Sequence, residues 1–155
     1  MSEKTASPVR QLRLVVEAED FEEAVTFYRD VLGLPEQTAF QGEGEARVVI
    51  LEAGRATLEL ANPAQKAMID QTEAGGAVSP RLKVAFEVDD TRRITAALVA
   101  AGGRLVADAT LTPWQSLNSR IDAPAGLQLT LFEEVETLDE RSLREGFGTN
   151  AVRGD

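Results

Sequence analysis

Apolar and polar positions repeat in the same order in two segments whose first residues are 70 positions apart. Residues 12–32 read LRLVVEAEDFEEAVTFYRDVL, and residues 82–102 read LKVAFEVDDTRRITAALVAAG. Each segment opens with alternating apolar residues, which are typical of a strand, and continues with helical spacing after an acidic pair. Asp20 and Asp90 stand where helix N-caps are expected, and a glycine follows each helical stretch. The pattern predicts two β-α units.

Further strand-like stretches follow each predicted helix, separated by turns rich in glycine and proline. The sequence QGEGE at 41–45 predicts a hairpin turn between two of them. The chain therefore predicts an α+β protein made of two tandem βαβββ modules with a mostly antiparallel, cleft-shaped sheet. Beyond the opening strands at 12–17 and 82–88, the predicted strands are about 36–41, 46–52, 55–61, 104–110, 115–122 and 127–134.

The repeat also predicts how the chain is organised. One domain is expected over residues 10–134, in which a linker with a short helix at 64–72 separates the two modules. The flanking residues have no strand or helix pattern of the repeat and are expected to be terminal tails. The boundaries are 10–61 for module 1, 62–80 for the linker, 81–134 for module 2, and 1–9 and 135–155 for the tails.

Strand alternation divides each predicted strand into two faces. Along 82–88, one face is apolar throughout, whereas the other face mixes charged and small residues. The purely apolar faces are expected to pack under the helices, and the mixed faces are predicted to line a binding cleft. The residues assigned to the mixed faces are Arg13, Glu17, Glu59, Lys83, Glu87, Thr130 and Phe132.

Composition excludes several chemistries. The 155 residues, of 16.7 kDa, include no cysteine and no histidine. Disulfides, thiolate nucleophiles, Ser-His-Asp catalysis, zinc sites that need Cys or His, and the 2-His-1-carboxylate iron site are therefore impossible in this chain. The net charge of −10 argues against nucleic acid and anionic membranes as partners. With a polar, signal-free start (MSEKTASPV), a soluble cytoplasmic protein is expected.

Three motifs resemble the vicinal oxygen chelate superfamily, which includes glyoxalase I, bleomycin-resistance proteins, extradiol dioxygenases and methylmalonyl-CoA epimerase. They are EDFEEAVTFYRDVLGLP at 19–35, VAFEVDD at 84–90 and PWQSLNSRIDAPAGLQLTLFEE at 113–134. The resemblance covers roughly residues 10–134 and implies the glyoxalase/bleomycin resistance/dioxygenase fold. It also implies a homodimer whose paired modules complete the clefts.

The resemblance places the metal-ligand positions of the superfamily on Arg13, Glu59, Lys83 and Thr130. Arginine and lysine repel a divalent metal and offer it no lone pair, so neither a metal nor another cofactor is expected. Arg13, Glu59 and Lys83 are predicted to be neighbours in an ionic cluster. Two interpretations remain open: Glu59 neutralises two cations for structural reasons, or one cation faces a ligand carboxylate, carbonyl or phosphate.

Trp114 is the only tryptophan. In the metal-free drug-binding branch of the superfamily, the corresponding Pro-Trp-Gly element lines the ligand cleft, although Gln115 replaces the glycine here. Trp114 is therefore interpreted either as a stacking platform for a ligand or as a cap on the edge of the core. Asn118 and Arg120 share one strand face, which either extends the cleft or is an ordinary solvated face.

Two functions follow from these residues. The first is a metal-independent small-molecule binding protein that sequesters an antibiotic or other planar compound. The alternative is an enzyme of the lyase, epimerase or dioxygenase-like type, in which Glu59 or Glu87 is the general base and Arg13 or Lys83 stabilises an oxyanion. The residues expected to contact the ligand are Arg13, Glu59, Lys83, Glu87, Trp114, Asn118, Arg120, Thr130 and Phe132.

Overall fold

The computed structural model describes residues 8–137, 139, 140 and 143, and it has the expected α+β architecture. Three α-helices accompany one two-stranded and one four-stranded sheet in this part of the chain. In chain order the elements are α1 (Phe21–Val25), which continues into a π-helical stretch (Thr26–Val31), β1 (Glu36–Gln41), β2 (Arg47–Leu51), α2 (Pro63–Ala74), β3 (Val84–Glu87), α3 (Thr91–Ala100), β4 (Arg104–Leu111), β5 (Ser116–Ala123), a 3₁₀ turn (Pro124–Gly126) and β6 (Leu127–Glu134).

The predicted ends of the first and third helices are confirmed. The Asp20 side chain accepts a hydrogen bond from the Glu23 backbone N–H, and Asp90 caps α3 in the same way through Arg93. Each cap satisfies one of the backbone donors that a helix leaves unpaired at its N-terminus. Beyond the helices, Gly33 and Gly102 adopt positive φ angles of 90° and 109°, which let the chain turn back towards the sheet.

The second half of the chain folds as one βαβββ unit. Its strands lie in the order β3-β6-β5-β4, and β3 runs parallel to β6 while the other pairs are antiparallel. Residues of three strands lie in line across the sheet, so that Arg120 faces Thr130, and Thr130 faces Ala85. Because direct cross-strand neighbours share a face, the register fixes which side chains can meet on either side of this sheet.

One face of the four-stranded sheet carries the core, as the alternation predicted. Five buried residues form its centre, and α3 and the first helix both contribute to it: Phe27, Leu98, Ile121, Leu129 and Leu131. The partly buried Val84 and Phe86 of β3 pack against this cluster. Tyr28 ties the first helix to the sheet, since its hydroxyl donates to the Pro124 carbonyl oxygen at 2.8 Å. Its burial raises the pKa of the Tyr28 phenol above the usual range.

The first half of the chain departs from the predicted module. The hairpin of β1 and β2 forms with its turn at 42–46, but residues 12–17 and 55–61 pair with no strand in the described part of the chain. Their alternating side chains are instead exposed, including Val15 and Leu60. The pattern alone could not produce a strand here, because a strand also needs a neighbouring backbone to complete its ladder. The two predicted strands are therefore wrong for the single chain.

The linker helix is longer than predicted and packs on the sheet. Instead of ending at residue 72, α2 spans Pro63–Ala74, with the Asn62 side chain as N-cap and Gly75 in the left-handed conformation at its end. It contacts β4 and β5. None of the helices within the described ranges has the length and apolar character required to cross a membrane. The tail residues 1–7 and most of those beyond 137 lie outside the described residues.

Candidate functional site

Along β5 and β6, the sheet face opposite the core is mostly polar and largely buried. Alternation along β5 and β6 places Asn118 and Arg120 beside Phe132 and Thr130 on this face. Arg120 is only 1% exposed and Thr130 only 4% exposed. Polar groups are rarely buried without partners, because leaving water costs them free energy that only new hydrogen bonds offset. The charged partners of Arg120 come from α2.

Two carboxylates of α2 meet Arg120. Nη2 of Arg120 lies 2.8 Å from Oδ1 of Asp70 and 3.1 Å from Oε2 of Glu73. The Nζ of Lys83, just before β3, lies 3.8 Å from the same Glu73 oxygen. These four side chains, together with Asn118, form what we call the buried polar cluster. It joins α2 to the sheet through opposite charges.

Asn118 connects the cluster to the turn that carries Trp114. Its Nδ2 donates to Oε1 of Glu73 at 2.6 Å, and its Oδ1 accepts a hydrogen bond from the Ser116 hydroxyl at 2.7 Å. Ser116 in turn lies 3.1 Å from the Thr112 hydroxyl, across the tight turn between β4 and β5. The half-buried Trp114 lies within this turn. A continuous hydrogen-bonded path thus links the tryptophan turn to Glu73.

Asp70 is anchored on both sides. Besides Arg120, its oxygens accept hydrogen bonds from the Ser79 hydroxyl at 2.7 Å, the Ser79 backbone N–H at 3.2 Å and Lys66 Nζ at 3.0 Å. Burial by itself would raise the pKa of Asp70, but the hydrogen bonds from Ser79, Lys66 and Arg120 outweigh it and hold the pKa well below its usual value. Asp70 is therefore ionised at neutral pH.

Several neighbouring charges affect the pKa of Lys83. Burial lowers the pKa of its ammonium group, while Glu73 opposes that effect and Arg120 adds to it. Asp70 and Glu59 also favour the charged form. Glu59 thus acts on Lys83 through its charge, whereas the direct ion pair of Lys83 is with Glu73.

Three polar atoms on this face have no hydrogen-bond partner among the described residues: Nε of Arg120, Oγ1 of Thr130 and Oε1 of Gln128. Arg120 and Thr130 face each other across β5 and β6, so two of these atoms belong to neighbouring side chains. A buried donor or acceptor without a partner costs about 1–3 kcal/mol. This face therefore retains unused capacity to bind a polar group.

Away from the polar face, open grooves lie beside the β1–β2 hairpin, including two that share lining residues. One is about 340 Å³ and lies between the first helix and the hairpin; the other is about 620 Å³ and lies beside the turn at 42–46. Both include Phe21 and Arg47, whose guanidinium lies 4.6 Å from the centre of the Phe21 ring. Neither groove includes a residue of the buried polar cluster or any sequence-predicted site residue.

A family model for the glyoxalase/bleomycin resistance protein/dioxygenase superfamily matches residues 10–131. The chain belongs to this superfamily. No curated protein is similar enough in sequence to match. The family match confirms the resemblance that the three sequence motifs carried, and it applies to the greater part of the chain.

Solved structures share the fold of this superfamily member. A superfamily member from Sphaerobacter thermophilus DSM 20745 is 21% identical with a TM-score of 0.51, over 77% of this chain and 92% of that chain. A glyoxalase-related enzyme from Fulvimarina pelagi is 18% identical with a TM-score of 0.50, over 81% and 89%. A protein of unknown function from Agrobacterium tumefaciens str. C58 is 20% identical with a TM-score of 0.50, over 83% and 98%. At these identities the likeness concerns the fold alone.

The residues that the resemblance assigns to the superfamily's metal-ligand positions are of types that do not suit a divalent metal. Lys83 is a cation paired with Glu73, and Arg13 is an exposed cation. Thr130 contributes a neutral hydroxyl, which leaves Glu59 as the one strong metal ligand of the four. No group of three or more Asp or Glu side chains suited to a metal occurs within the described residues.

The predicted site residues of this superfamily member fall into two groups. Lys83, Asn118 and Arg120 meet Glu73 of α2, with Thr130 opposite Arg120 and Phe132 opposite Asn118 on the neighbouring strand. Arg13 and Glu59 lie in the exposed segments that lack strand pairing, so the expected Arg13–Glu59–Lys83 ion cluster does not form in the single chain. Glu87 is exposed on β3. The cleft expected to be open is covered by α2.

Sequence reasoning missed Asp70 and Glu73, which are the buried residues of α2. Their spacing of three residues places both on one helix face. The signal was present in the linker, because Asn62-Pro63 and Gly75 are typical start and stop residues for a helix that contains both carboxylates. What the linker sequence lacked was any sign that this acidic face would meet Arg120.

Proposed function

We propose that the protein is a metal-independent small-molecule binding protein that takes its ligand on the polar face of the four-stranded sheet. The observation that carries this proposal is the convergence of buried donors on that face. Asn118 and Arg120 point their nitrogens at one carboxylate, and Arg120 and Thr130 each keep an unpartnered polar atom beside it. Few and well-placed polar groups of this kind are what orient a ligand in a binding site.

The residue types on the polar face support binding more than catalysis. Its buried ionisable side chains are held in ion pairs, and Asp70 is kept in its charged form. A general base needs a pKa near the working pH and access to the proton that it removes. The side chains instead resemble a fixed set of hydrogen-bond donors, which recognises a ligand without changing it.

Trp114 supports a planar compound as the ligand. It lies half-buried in the turn that leads through Ser116 to Asn118, four residues before Asn118 in the chain. Stacking of a planar group on an aromatic side chain contributes about 0.5–1.5 kcal/mol beyond its buried area. An antibiotic or another planar compound with a polar end would use both features, and sequestration would need no reaction.

An enzyme without a metal is the second candidate, and one observation favours it. Burial lowers the pKa of Lys83, and Glu59 lies close enough to influence that pKa through its charge. A lysine with a depressed pKa beside a carboxylate is a combination that acid–base catalysis also uses. In this version Glu59 or the exposed Glu87 would be the base, and Lys83 would stabilise developing negative charge.

The test is a panel of planar antibiotics and acyl compounds, monitored by tryptophan emission. Since Trp114 is the only tryptophan, any change in emission reports on this turn. Arg120→Met should abolish binding, whereas Arg104→Met, which changes an exposed arginine of β4, should leave it intact. Binding that is equally strong in both variants would place the site elsewhere.

Recovery of the ligand separates the two candidate functions. A compound that is recovered unchanged after long incubation supports binding, and a compound that is converted catalytically supports the enzyme. Glu59→Gln gives a second distinction. If Glu59 is the general base, this variant should stop conversion of the ligand. If the protein only binds its ligand, the variant should bind anionic ligands more tightly and cationic ligands more weakly, because it removes one negative charge near Lys83.

A further inference from the structure

The face that α2 turns towards the sheet is acidic, not apolar. Its buried residues are Asp70 and Glu73, whereas the apolar Met68 is 42% exposed. Most helices bury an apolar stripe and expose their charges, so this arrangement is reversed. The contact between α2 and the sheet consequently depends on the ion pairs and hydrogen bonds of two buried carboxylates, with Ile69 as a partly buried apolar neighbour in the helix.

Such a contact is readily exchanged. When two opposite charges are buried together, the loss of their hydration cancels most of their attraction, so the pair adds little net stability. A charged ligand that replaces one member of the pair also loses its hydration and gains a similar attraction, so the exchange changes the free energy little. The state in which α2 covers the sheet is thus separated from an uncovered state by less free energy than an apolar interface of the same size would give.

Glu73 is held as a bound carboxylate ligand would be held. The Asn118 amide donates to one oxygen at 2.6 Å, and the other oxygen lies 3.1 Å from Arg120 Nη2 and 3.8 Å from Lys83 Nζ. All three donors belong to β5 or to the residue before β3, and none belongs to α2. We call Lys83, Asn118 and Arg120 the carboxylate cradle. The cradle is a property of the sheet, whichever carboxylate occupies it.

We propose that the carboxylate cradle binds a small-molecule carboxylate, and that Glu73 of α2 occupies the cradle within the chain until such a ligand displaces it. This inference rests on the proposed function and deepens it, since it names the ligand class and a competitor for the site. It also gives the unpartnered Nε of Arg120 and Oγ1 of Thr130 a role, because both lie beside the cradle and can hold further polar atoms of the ligand.

The chain on both sides of α2 permits it to move. Gly75 and Gly76 follow the helix with φ angles of 61° and 95°, values that glycine adopts without strain. Before the helix, residues 55–61 are exposed and make no strand pairing within the described residues. When α2 lifts, Asp70 and Glu73 leave together, and the sheet is left with two cations, Arg120 and Lys83. The uncovered face is therefore suited to an anion.

The first test measures whether α2 lifts. The chain has no cysteine, so Thr130→Cys introduces a single thiol on the polar face opposite Arg120, at a buried hydroxyl that makes no hydrogen bond to the described residues. Iodoacetamide should alkylate this thiol at least tenfold faster in a Thr130→Cys/Glu73→Gln protein than in Thr130→Cys alone. Ser119→Cys, buried on the core face of the same sheet, is the matched control and should stay protected with and without Glu73→Gln.

The second test measures the competition. Benzoate is the probe, benzamide is its neutral counterpart, and inorganic phosphate is the competing anion. Since apparent affinity is reduced by the fraction of molecules in which the site is accessible, Glu73→Gln should bind benzoate at least tenfold more tightly than the wild-type protein. Glu43→Gln, at an exposed residue of the hairpin turn, should bind benzoate as the wild type does. Benzamide and phosphate should bind more weakly than benzoate.

Several results would overturn the inference. Equal alkylation of Thr130→Cys with and without Glu73→Gln would show that the contact of Glu73 does not control access. Equal benzoate affinity in Glu73→Gln and wild type would show that Glu73 does not compete. Benzamide or phosphate binding as tightly as benzoate would exclude the carboxylate class. If Glu73→Gln does not fold, Gly76→Ala replaces it, because the φ of 95° at this position is strained for a residue with a Cβ and the substitution therefore destabilises the end of α2 in the covered state.

The failures of the two proposals can be told apart. If the wild-type protein binds a neutral planar compound from the panel while Glu73→Gln gains no affinity for benzoate, this inference is overturned and the proposed function stands. If no probe or panel compound binds the wild type, Glu73→Gln or Gly76→Ala, both proposals are overturned.

Discussion

Asn118 and Glu73 are 45 residues apart in the chain and are joined by a hydrogen bond of 2.6 Å between Nδ2 and Oε1. This contact places the linker helix on the polar face of the sheet, which would otherwise be open. Because the same Glu73 also meets Arg120 and Lys83, one side chain of the linker holds three residues of the predicted site. Access to that site is therefore coupled to the position of α2.

The acid stability of the protein is expected to depend on Asp70. Its folded-state pKa lies below the ordinary value of 3.8, so ionised Asp70 stabilises the folded state, and this contribution is complete above about pH 4 and is lost as the pH falls further. Asp70→Asn should lower the free energy of unfolding by about 1–3 kcal/mol at pH 7. The difference from wild type should shrink as the pH falls below 3.8. Urea titrations at several pH values measure both effects, and a constant difference would contradict the prediction.

Gln115 adopts a positive φ of 61° in the turn that carries Trp114, where the superfamily motif has glycine. The left-handed conformation is unfavourable for a residue with a Cβ, so Gln115→Gly should stabilise the protein by about 0.5–1 kcal/mol. Gln115→Ala keeps the Cβ and should leave the stability near that of the wild type. Thermal denaturation of the three proteins provides the measurement, and a glycine variant less stable than the alanine variant would refute the argument.

Gly103 is required for a different reason, which is close packing. A Cβ at this position would lie 2.8 Å from Cγ2 of Ile121 and 2.9 Å from the backbone oxygen of Leu98. Gly103→Ala should therefore destabilise the protein by about 1–3 kcal/mol, as overpacking of a core does. Gly44→Asn is the control: nothing lies within 4 Å of a Cβ there, and asparagine tolerates its positive φ of 65°. A Gly103→Ala protein as stable as this control would contradict the prediction, because it would show that the core rearranges to accommodate the added Cβ.

A homodimer is expected in solution, at twice the 16.7 kDa of the chain. Val15 and Leu60 are 85% and 87% exposed, and each lies in a strand-like segment that pairs with no strand of the described chain. Unpaired strands with exposed apolar side chains favour association with another chain. Val15→Lys or Leu60→Lys should give a monomer by light scattering, whereas Val78→Lys, at an exposed valine outside these segments, should not. A wild-type monomer at micromolar concentration would rule out the dimer.

The purified protein is expected to carry no stoichiometric transition metal. Arg13 and Lys83 are cations at two of the ligand positions, and histidine and cysteine are absent from the whole sequence. Elemental analysis after growth with added Zn, Ni, Fe and Mn tests this expectation. About one metal ion per chain, lost on Glu59→Ala but kept on Glu43→Ala, would contradict it.

The sequence by itself determined the helix ends, the strands of the second half of the chain and the superfamily. Asp20 and Asp90 mark helix starts, Gly33 and the pair Gly102-Gly103 mark helix ends, and the alternation along β3 and β6 separates the core face from the polar face. These features depend on neighbours in the chain, because a cap or an alternating strand is encoded within a few residues. The motifs at 19–35, 84–90 and 113–134 were sufficient to identify the superfamily for the same reason.

Only the tertiary structure decided what covers the polar face and which charges meet there. Lys83 pairs with Glu73 and not with the expected Glu59, and Arg120 is buried against Asp70, because α2 packs across β4 and β5. The segments at 12–17 and 55–61 have the alternation of strands but no neighbouring backbone to pair with in the described chain. Contacts between residues that are distant in sequence depend on how whole elements pack. The pattern along the chain indicates whether a segment favours helix or strand, but it does not indicate which other element that segment will contact.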